Sequence, residues 1–279
     1  MTLGFFKVLY IKYINLIFLY IIMRGIDIIG NIAIAKFSRS EKKKDKLRQA
    51  GEILKKMKNV TTVLEKSKKF SGRLRVQKTS FLSGINTKEA LYRENGCAFH
   101  LNIDTCYFSP RLAGERMEIA RQAKASDSIL VMFGGVAPFA ITIAKIASPK
   151  KVVSVELSRT CNKYALENVR RNKLQDKIQL IQGDVKKKVP QLREKFTRIV
   201  MARPNLKETF LPTALKASKK GTIIHFYGFC KESDLESMKS QLLEEAKKAR
   251  KPVKLLAVRR AGDIGVRAFR YRIDLKLEK

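Results

Sequence analysis

Between Ser128 and Phe226 short apolar runs alternate with helical patterns, and this alternation leaves few architectures open. The runs are Ile129–Met132, Lys151–Val155, Ile178–Ile181, Arg198–Met201 and Thr222–Phe226. Helical spacing covers Pro138–Ala147, Arg159–Asn172, Asn205–Ala217 and Glu232–Ala249. Short strands each followed by a helix predict an α/β, Rossmann-like domain, with a mainly parallel sheet and helices on both faces. Val253–Val258 and Ala268–Leu277 then predict a closing hairpin at the sheet edge.

The first unit of the alternation, SILVMFGGVAPF at 128–139, is a strand, a glycine turn at Gly134-Gly135 and a helix start. In open α/β sheets ligands sit beyond the carboxyl ends of the strands, near such turns. The second strand ends in Glu156 and the third in Gly183-Asp184. An acid at the second tip can take both hydroxyls of a ribose. One after the third can accept from an adenine amino group, with apolar neighbours packing the ring. Together these describe an adenosine-bearing cofactor. The G-x-G-x-x-G fingerprint and the P-loop are both missing from the sequence, which disfavours NAD and ATP. S-adenosylmethionine has no phosphate to cradle and fits the turn.

The chain carries 59 Lys+Arg against 25 Asp+Glu, a formal charge of +34. That excess points to a polyanionic partner, a nucleic acid. KSKKFSGRLRVQK at 66–78 reads as a phosphate-contacting surface or a solvated hairpin. The four cysteines contain no C-x-x-C pair, so no zinc site is expected, and four reduced thiols are the expected state. Two histidines supply neither a metal site nor a Ser-His-Asp triad well.

Residues 1–22 are apolar and aromatic, interrupted by Lys7, Lys12 and Asn15. A membrane anchor, a packed hydrophobic helix and sequence upstream of the native start are the three readings. The third is preferred, with Met23 as the start, because composition changes abruptly there and Lys12 would sit deep in a bilayer. No stable membrane association is expected. IDIIGNIAIAKF at 26–37 reads as two strand pieces around Gly30-Asn31. Ser40–Lys58 reads as an amphipathic helix capped at Ser40, and Val60–Val63 as a short strand. A turn at Glu94-Asn95-Gly96 precedes an alternating strand over Cys97–Ile103, and Ser109-Pro110 opens a helix. The expected organisation is a small α+β domain over 23–98 and a larger domain over 99–279.

From Met23 onward the chain resembles the archaeal and eukaryotic tRNA methyltransferases that modify guanosine 37, and their wybutosine-pathway relatives. The resemblance rests on IDIIGNIAI at 26–34, YRENG at 92–96, YFSPRLAGER at 107–116, MFGGVAPF at 132–139, the two acid tips, and GTIIHFYGF at 221–229. It implies a class I methyltransferase domain behind a small α+β domain, S-adenosyl-L-methionine as cofactor, tRNA as partner, no metal, a cytoplasmic location and a monomer.

Methylating N1 of guanine removes a proton there and builds charge on O6, so a base and a cation are needed. The resemblance puts the base at Glu115 and the cation at Arg75, with Arg73 as alternative. Glu115 pairing with Arg111 one turn away, and Arg75 as a solvated strand residue, are the bland readings. The cofactor set it implies is Phe108, Arg116, Phe133, Gly134, Gly135, Glu156, Leu157, Asp184, Val185, Ala202 and Pro204. Two positions depart from the family. Val131 replaces an acid that supports the cofactor's methionine end. Ala202-Arg203-Pro204 replaces Asn-Leu-Pro, losing an Asn that contacts the target guanine or helps position it, while a turn with Arg203 could still use backbone groups and a phosphate contact. Aminocarboxypropyl transfer to the same nucleoside, a silent tRNA-binding protein and a membrane-anchored version are the alternatives.

Overall fold

The structure, a computed structural model, describes residues 26–38, 40–71 and 76–278. The 1–22 segment, Met23, Arg73 and Arg75 lie outside the described residues. The chain divides into two compact units, one of residues up to Phe70 with Gln77–Ala90, the other of Ser71–Val76 with Leu91–Lys279.

In the first unit, strands β1 (Ile26–Ile29) and β2 (Ile32–Ala35) pair antiparallel around Gly30 at φ 58°. Helix α1 (Lys43–Lys56) follows, and β2 then pairs parallel with β3 (Thr62–Ser71), which neighbours β4 (Val76–Gly84). Ala33, Ala50, Ile53, Val60 and Val63 form the core between helix and sheet. Ser40 does not cap the helix. Lys42 is the N-cap and gives no side-chain bond, while the Ser40 hydroxyl meets Ser38 at 2.8 Å. The strand expected at Val60–Val63 begins at Thr62 and runs to Ser71, with the Thr62 hydroxyl donating to the Ile85 carbonyl at 2.6 Å.

The second unit begins within the hairpin of β5 (Glu89–Glu94) and β6 (Cys97–Asn102). Its turn residues Asn95 and Gly96 both have positive φ, as a two-residue hairpin turn with right-handed strand twist requires. A 3-10 turn at Pro110–Leu112 runs into helix α2 (Ala113–Gln122). Strand–helix alternation then supplies β7 (Ser128–Met132), α3 (Pro138–Ala147), β8 (Lys151–Glu156), α4 (Arg159–Arg171), β9 (Ile178–Gln182), α5 (Val185–Gln191), β10 (Phe196–Met201), α6 (Leu211–Lys216), β11 (Ser218–Lys231) and α7 (Leu235–Lys248). Strands β12 (Val253–Gly265) and β13 (Ala268–Leu277) close the chain. The sheet order is β12-β13-β11-β10-β7-β8-β9, parallel from β11 to β9, with β13 antiparallel to both neighbours. Leu130, Met132, Val153, Val155, Ile199, Met201, Ile224 and Phe226 fill the core on one face.

Three expectations shift for physical reasons. The helix placed from Asn205 starts at Leu211, because the chain before it is held as a loop by Arg203 and turns through Phe210 at φ 60°. Strand β11 runs five residues past Phe226, since β13 supplies antiparallel partners from Ile223 to Lys231. The expected four free thiols are two. Cys106 and Cys161 form a disulfide with Cα atoms 5.5 Å apart, because the turn after β6 lands on the first turn of α4. Cys97 and Cys230 stay free.

Candidate active site

The carboxyl ends of β7, β8, β9 and β10 open on one cavity, where an open α/β sheet leaves its crevice. At the tip of β7 the backbone bends through Phe133 at φ 63° and Gly135 at φ 56°. Gly134 is required by close approach, since a Cβ there would lie 2.1 Å from the Ser154 hydroxyl oxygen.

Glu156 ends β8 inside this turn. Its Oε2 accepts from the Gly135 N–H at 2.8 Å and its Oε1 from the Ser158 N–H at 2.7 Å. Burial pushes its carboxyl above the usual carboxylate range, against the pull of the Ser158, Gly135 and Leu157 N–H groups. Each oxygen keeps a further lone pair, which matches two vicinal hydroxyls. Asp184 caps α5 by accepting from the Lys186 N–H at 2.9 Å. Phe108, Phe133, Leu157 and Val185 supply the apolar surface of the cavity. That donor set suits an adenosine without phosphates.

The opposite wall is built on charge. Arg116 is buried and forked onto both oxygens of Glu94, with Nη2 to Oε2 at 2.6 Å and a further bond to the Ser109 carbonyl at 3.0 Å. Its guanidinium lies 5.1 Å from the Phe108 ring centroid. Burying a guanidinium is costly, and the fork onto Glu94 compensates the charge. Glu94 lies inside the quoted YRENG, where the sequence reading gave it no part in holding Arg116.

Glu115 lies on α2, on the same side of the molecule as Arg116. Its Oε2 accepts from the Tyr227 hydroxyl and from Arg272 Nη1, each at 2.9 Å. Both donors converge on one oxygen, and among the described residues no donor reaches Oε1. Glu115 stands beside the cavity, and Tyr227 is the member of the pair in its wall. Burial, first, and the nearby Glu115 charge push the Tyr227 phenol well above its ordinary range, so it donates. The arginine that anchors Glu115 is Arg272, from the last strand, rather than Arg111 one turn away.

Two asparagines of α4 fasten β6. The Asn168 amide accepts from the His100 N–H at 2.6 Å and donates to the His100 and Val136 carbonyls at 3.0 and 3.2 Å. Asn172 accepts from the Ala98 N–H at 2.9 Å and donates to its carbonyl at 2.7 Å. Side-chain amides thus stand in for a neighbouring strand along β6. Their buried faces were the available signal, since an amphipathic helix normally hides apolar residues there.

All of Phe108, Arg116, Phe133, Gly134, Gly135, Glu156, Leu157, Asp184, Val185, Ala202 and Pro204 line the one cavity. Arg203 turns its guanidinium onto the backbone. It is 6% exposed, and it donates to the carbonyls of Tyr227 at 3.3 Å, Glu208 at 2.6 Å and Leu206. Burial lowers its pKa to about 10. Val131 is fully buried between Val200 and Ser154 and does not reach the cavity. Among the described residues no cluster of three or more His, Cys, Asp or Glu side chains could hold a metal, and no helix is long and apolar enough to cross a membrane.

Residues 90–256 match the TRM5/TYW2 methyltransferase domain. The chain belongs to the TRM5/TYW2 family. It is 33% identical over 253 residues to the tRNA (guanine(37)-N(1))-methyltransferase Trm5b of Pyrococcus abyssi, across 90% of this chain and 74% of that one. A solved complex of aTrm5 with tRNALeu superposes with a TM-score of 0.80 at 26% identity, over 98% of this chain and 77% of the other. Methanocaldococcus jannaschii Trm5 in complex with adenosine superposes with a TM-score of 0.76 at 25% identity, over 91% and 72%.

Proposed function

We propose that this protein transfers a methyl group from S-adenosylmethionine to N1 of guanosine 37 in tRNA. The observation that carries the reading is Glu115, held by Tyr227 and Arg272 beside a cavity that Tyr227, Glu156 and Asp184 all line. The names of the relatives support the same chemistry. Bound there, the cofactor supplies an electrophilic methyl group on a sulfonium.

Glu156 holds the ribose hydroxyls and Asp184 the adenine amino group. Phe108, Phe133, Leu157 and Val185 pack the ring. Gly134 and Gly135 let the backbone approach, Arg116 closes the wall against Phe108, and Ala202 and Pro204 bound the side near the methyl. Glu115 accepts the N1 proton of guanine on Oε1 while Oε2 stays anchored, so the base cannot swing away as it is protonated. Arg75, or Arg73, stabilises charge at O6 on the strength of the resemblance alone. The small domain at 23–98 and the catalytic domain at 99–279 belong to one monomeric, cytoplasmic enzyme.

Mass spectrometry of nucleosides from tRNA incubated with protein and cofactor tests the reading. A new 1-methylguanosine at position 37 is expected. A mass gain of an aminocarboxypropyl group would move the assignment to wybutosine chemistry, which the altered 202–204 turn favours. No modification at all would sink both.

A further inference from the structure

Strand β11 passes the end of β10 by five residues, Tyr227 to Lys231, and β13 follows it to Ala268. At about 3.3 Å per residue the two strands rise about 17 Å above the tip of β10. They form a wall on the substrate flank of the cavity. Cross-strand register orders its inner face. Tyr227 opposes Arg272, and Phe229 opposes Arg270 two residues nearer the mouth. Both Phe229 and Arg270 line the cavity.

The two arginines are spent differently. Arg272 is fully buried and bonded to Glu115, Glu118 and Asp274. Arg270 is half-buried, lies 5.3 Å from the Phe229 ring centroid, and donates from Nη2 to the Tyr107 hydroxyl at 3.1 Å. Among the described residues no carboxylate pairs with it. Arg116 and Arg203, the other guanidiniums of the cavity, are consumed by Glu94 and by backbone carbonyls. Arg270 is therefore a pre-aimed cation with open donors and no internal counter-ion. A fork of this kind fits a phosphate oxygen pair.

The cofactor's acid ligand does not share this wall. Glu156 is on β8, four strand positions from β13 in the sheet order, or about 19 Å at the usual spacing. We propose that Arg270, stacked on Phe229 and steered by Tyr107, binds a backbone phosphate of the RNA nucleotide whose base reaches Glu115. The inference rests on the RNA reading above. It makes the overhanging wall a positioning surface: it fixes the sugar-phosphate one step above the base, so that the base is delivered at the depth of Glu115.

The test is a tRNA-binding titration across salt concentrations, with S-adenosylmethionine binding measured calorimetrically in the absence of tRNA. Arg270→Gln is expected to weaken tRNA binding about tenfold or more. The slope of log Kd against log salt becomes shallower by about 0.7 to 1, one phosphate contact. Cofactor affinity stays at the wild-type value. Arg270→Lys keeps the charge and loses the planar fork, so the slope stays and the affinity falls about threefold or more. That variant decides the matter should the glutamine variant fail to fold. Wild-type tRNA affinity and slope in Arg270→Gln, or wild-type tRNA affinity in Arg270→Lys, overturns the proposal. So does a loss of cofactor affinity without tRNA, which would assign Arg270 to the cofactor carboxylate. The readout is binding, so a wild-type protein that binds tRNA and forms no 1-methylguanosine defeats the methyl-transfer reading alone. Failure of wild-type protein to bind tRNA defeats both.

Discussion

Arg272 holds Glu115 across the face of the sheet: Nη1 donates to Oε2 at 2.9 Å from a guanidinium with no solvent exposure. The chain of charge continues inward. Arg272 Nε lies 3.1 Å from Asp274 Oδ1, Asp274 accepts from His225 Nδ1 at 2.7 Å, and His225 Nε2 meets Arg198 Nη1 at 2.6 Å. Arg198 reaches Asp127 at 3.3 Å. Five of these side chains come from β10, β11, β13 and the segment before β7, so the candidate base is fastened to the sheet itself. Glu115→Gln keeps the shape and removes the proton acceptor. A fall in kcat of about 10² to 10⁴ is expected, with unchanged cofactor affinity. Single-turnover methylation with a separate cofactor titration checks it, and near-wild-type turnover would remove Glu115 as the base.

Glu156 spends one lone pair of each oxygen on the Gly135 and Ser158 N–H groups. Glu156→Ala leaves those donors and the cofactor's hydroxyls without an acceptor. Cofactor binding should weaken about 10- to 100-fold, as for loss of hydrogen bonds to a charged group. Isothermal calorimetry reads this directly.

The glycine at 134 is set by one hydroxyl. Gly134→Ala drives its methyl into Ser154 Oγ, at 2.1 Å, whereas Ser154 Cβ is 3.5 Å away. The single variant should lose about 1 to 3 kcal/mol of stability through overpacking. Gly134→Ala with Ser154→Ala should recover most of that loss. Denaturant unfolding of the two variants decides it, and no rescue would show that the backbone, not the hydroxyl, imposes the glycine.

Glu94→Gln strands the Arg116 charge in a buried wall, where both side chains are under 5% exposed. Breaking a buried pair on one side costs about 3 to 5 kcal/mol. A melting temperature close to wild type would contradict this.

His225 gives a pH signature. Arginine can only donate, so Nε2 accepts from Arg198 and Nδ1–H donates to Asp274, which fixes a neutral ring. Burial, the largest influence, holds its pKa below the ordinary 6.5, with Arg198 and Arg272 acting the same way and Asp274 opposing. The folded value is depressed, so the unfolded chain binds the extra proton as pH drops below 6.5. Stability should therefore be full above that pH and decline as pH falls toward about 5. His225→Gln should flatten that part of the curve in urea unfolding measured across the same range. An unchanged slope in the variant would assign it to other groups.

Much of this was legible in the residues because strand and turn chemistry are local. The β7 run, the glycine turn and the acids ending β8 and β9 each announce themselves within a few residues. All eleven expected cofactor residues line one cavity for that reason. What the chain hides is long-range. Arg272 lies 157 residues from Glu115, and nothing in RYRID says which acid it will meet. Glu94 and Arg116 are 22 apart and meet only because a hairpin and a helix share a wall. The Cys106–Cys161 bond and the Arg203 loop contacts were missed likewise, since partners chosen by tertiary packing leave no periodic trace. Arg75 and Arg73 lie outside the described residues.

The order of strands in the sheet has a consequence for biosynthesis. Strand β13 is laid between β11 and β12, and it carries Arg270, Arg272 and Asp274. While a ribosome is still making residues 268–277, the nascent chain has its glycine turn, its acid tips and the Tyr227 hydroxyl, but no cation to anchor Glu115. The acid tips belong to strands made early, whereas the charged anchor of the candidate base arrives only with β13. A chain cut before β13 would keep Glu156 and Asp184 in its sequence and lose the cation that anchors the candidate base.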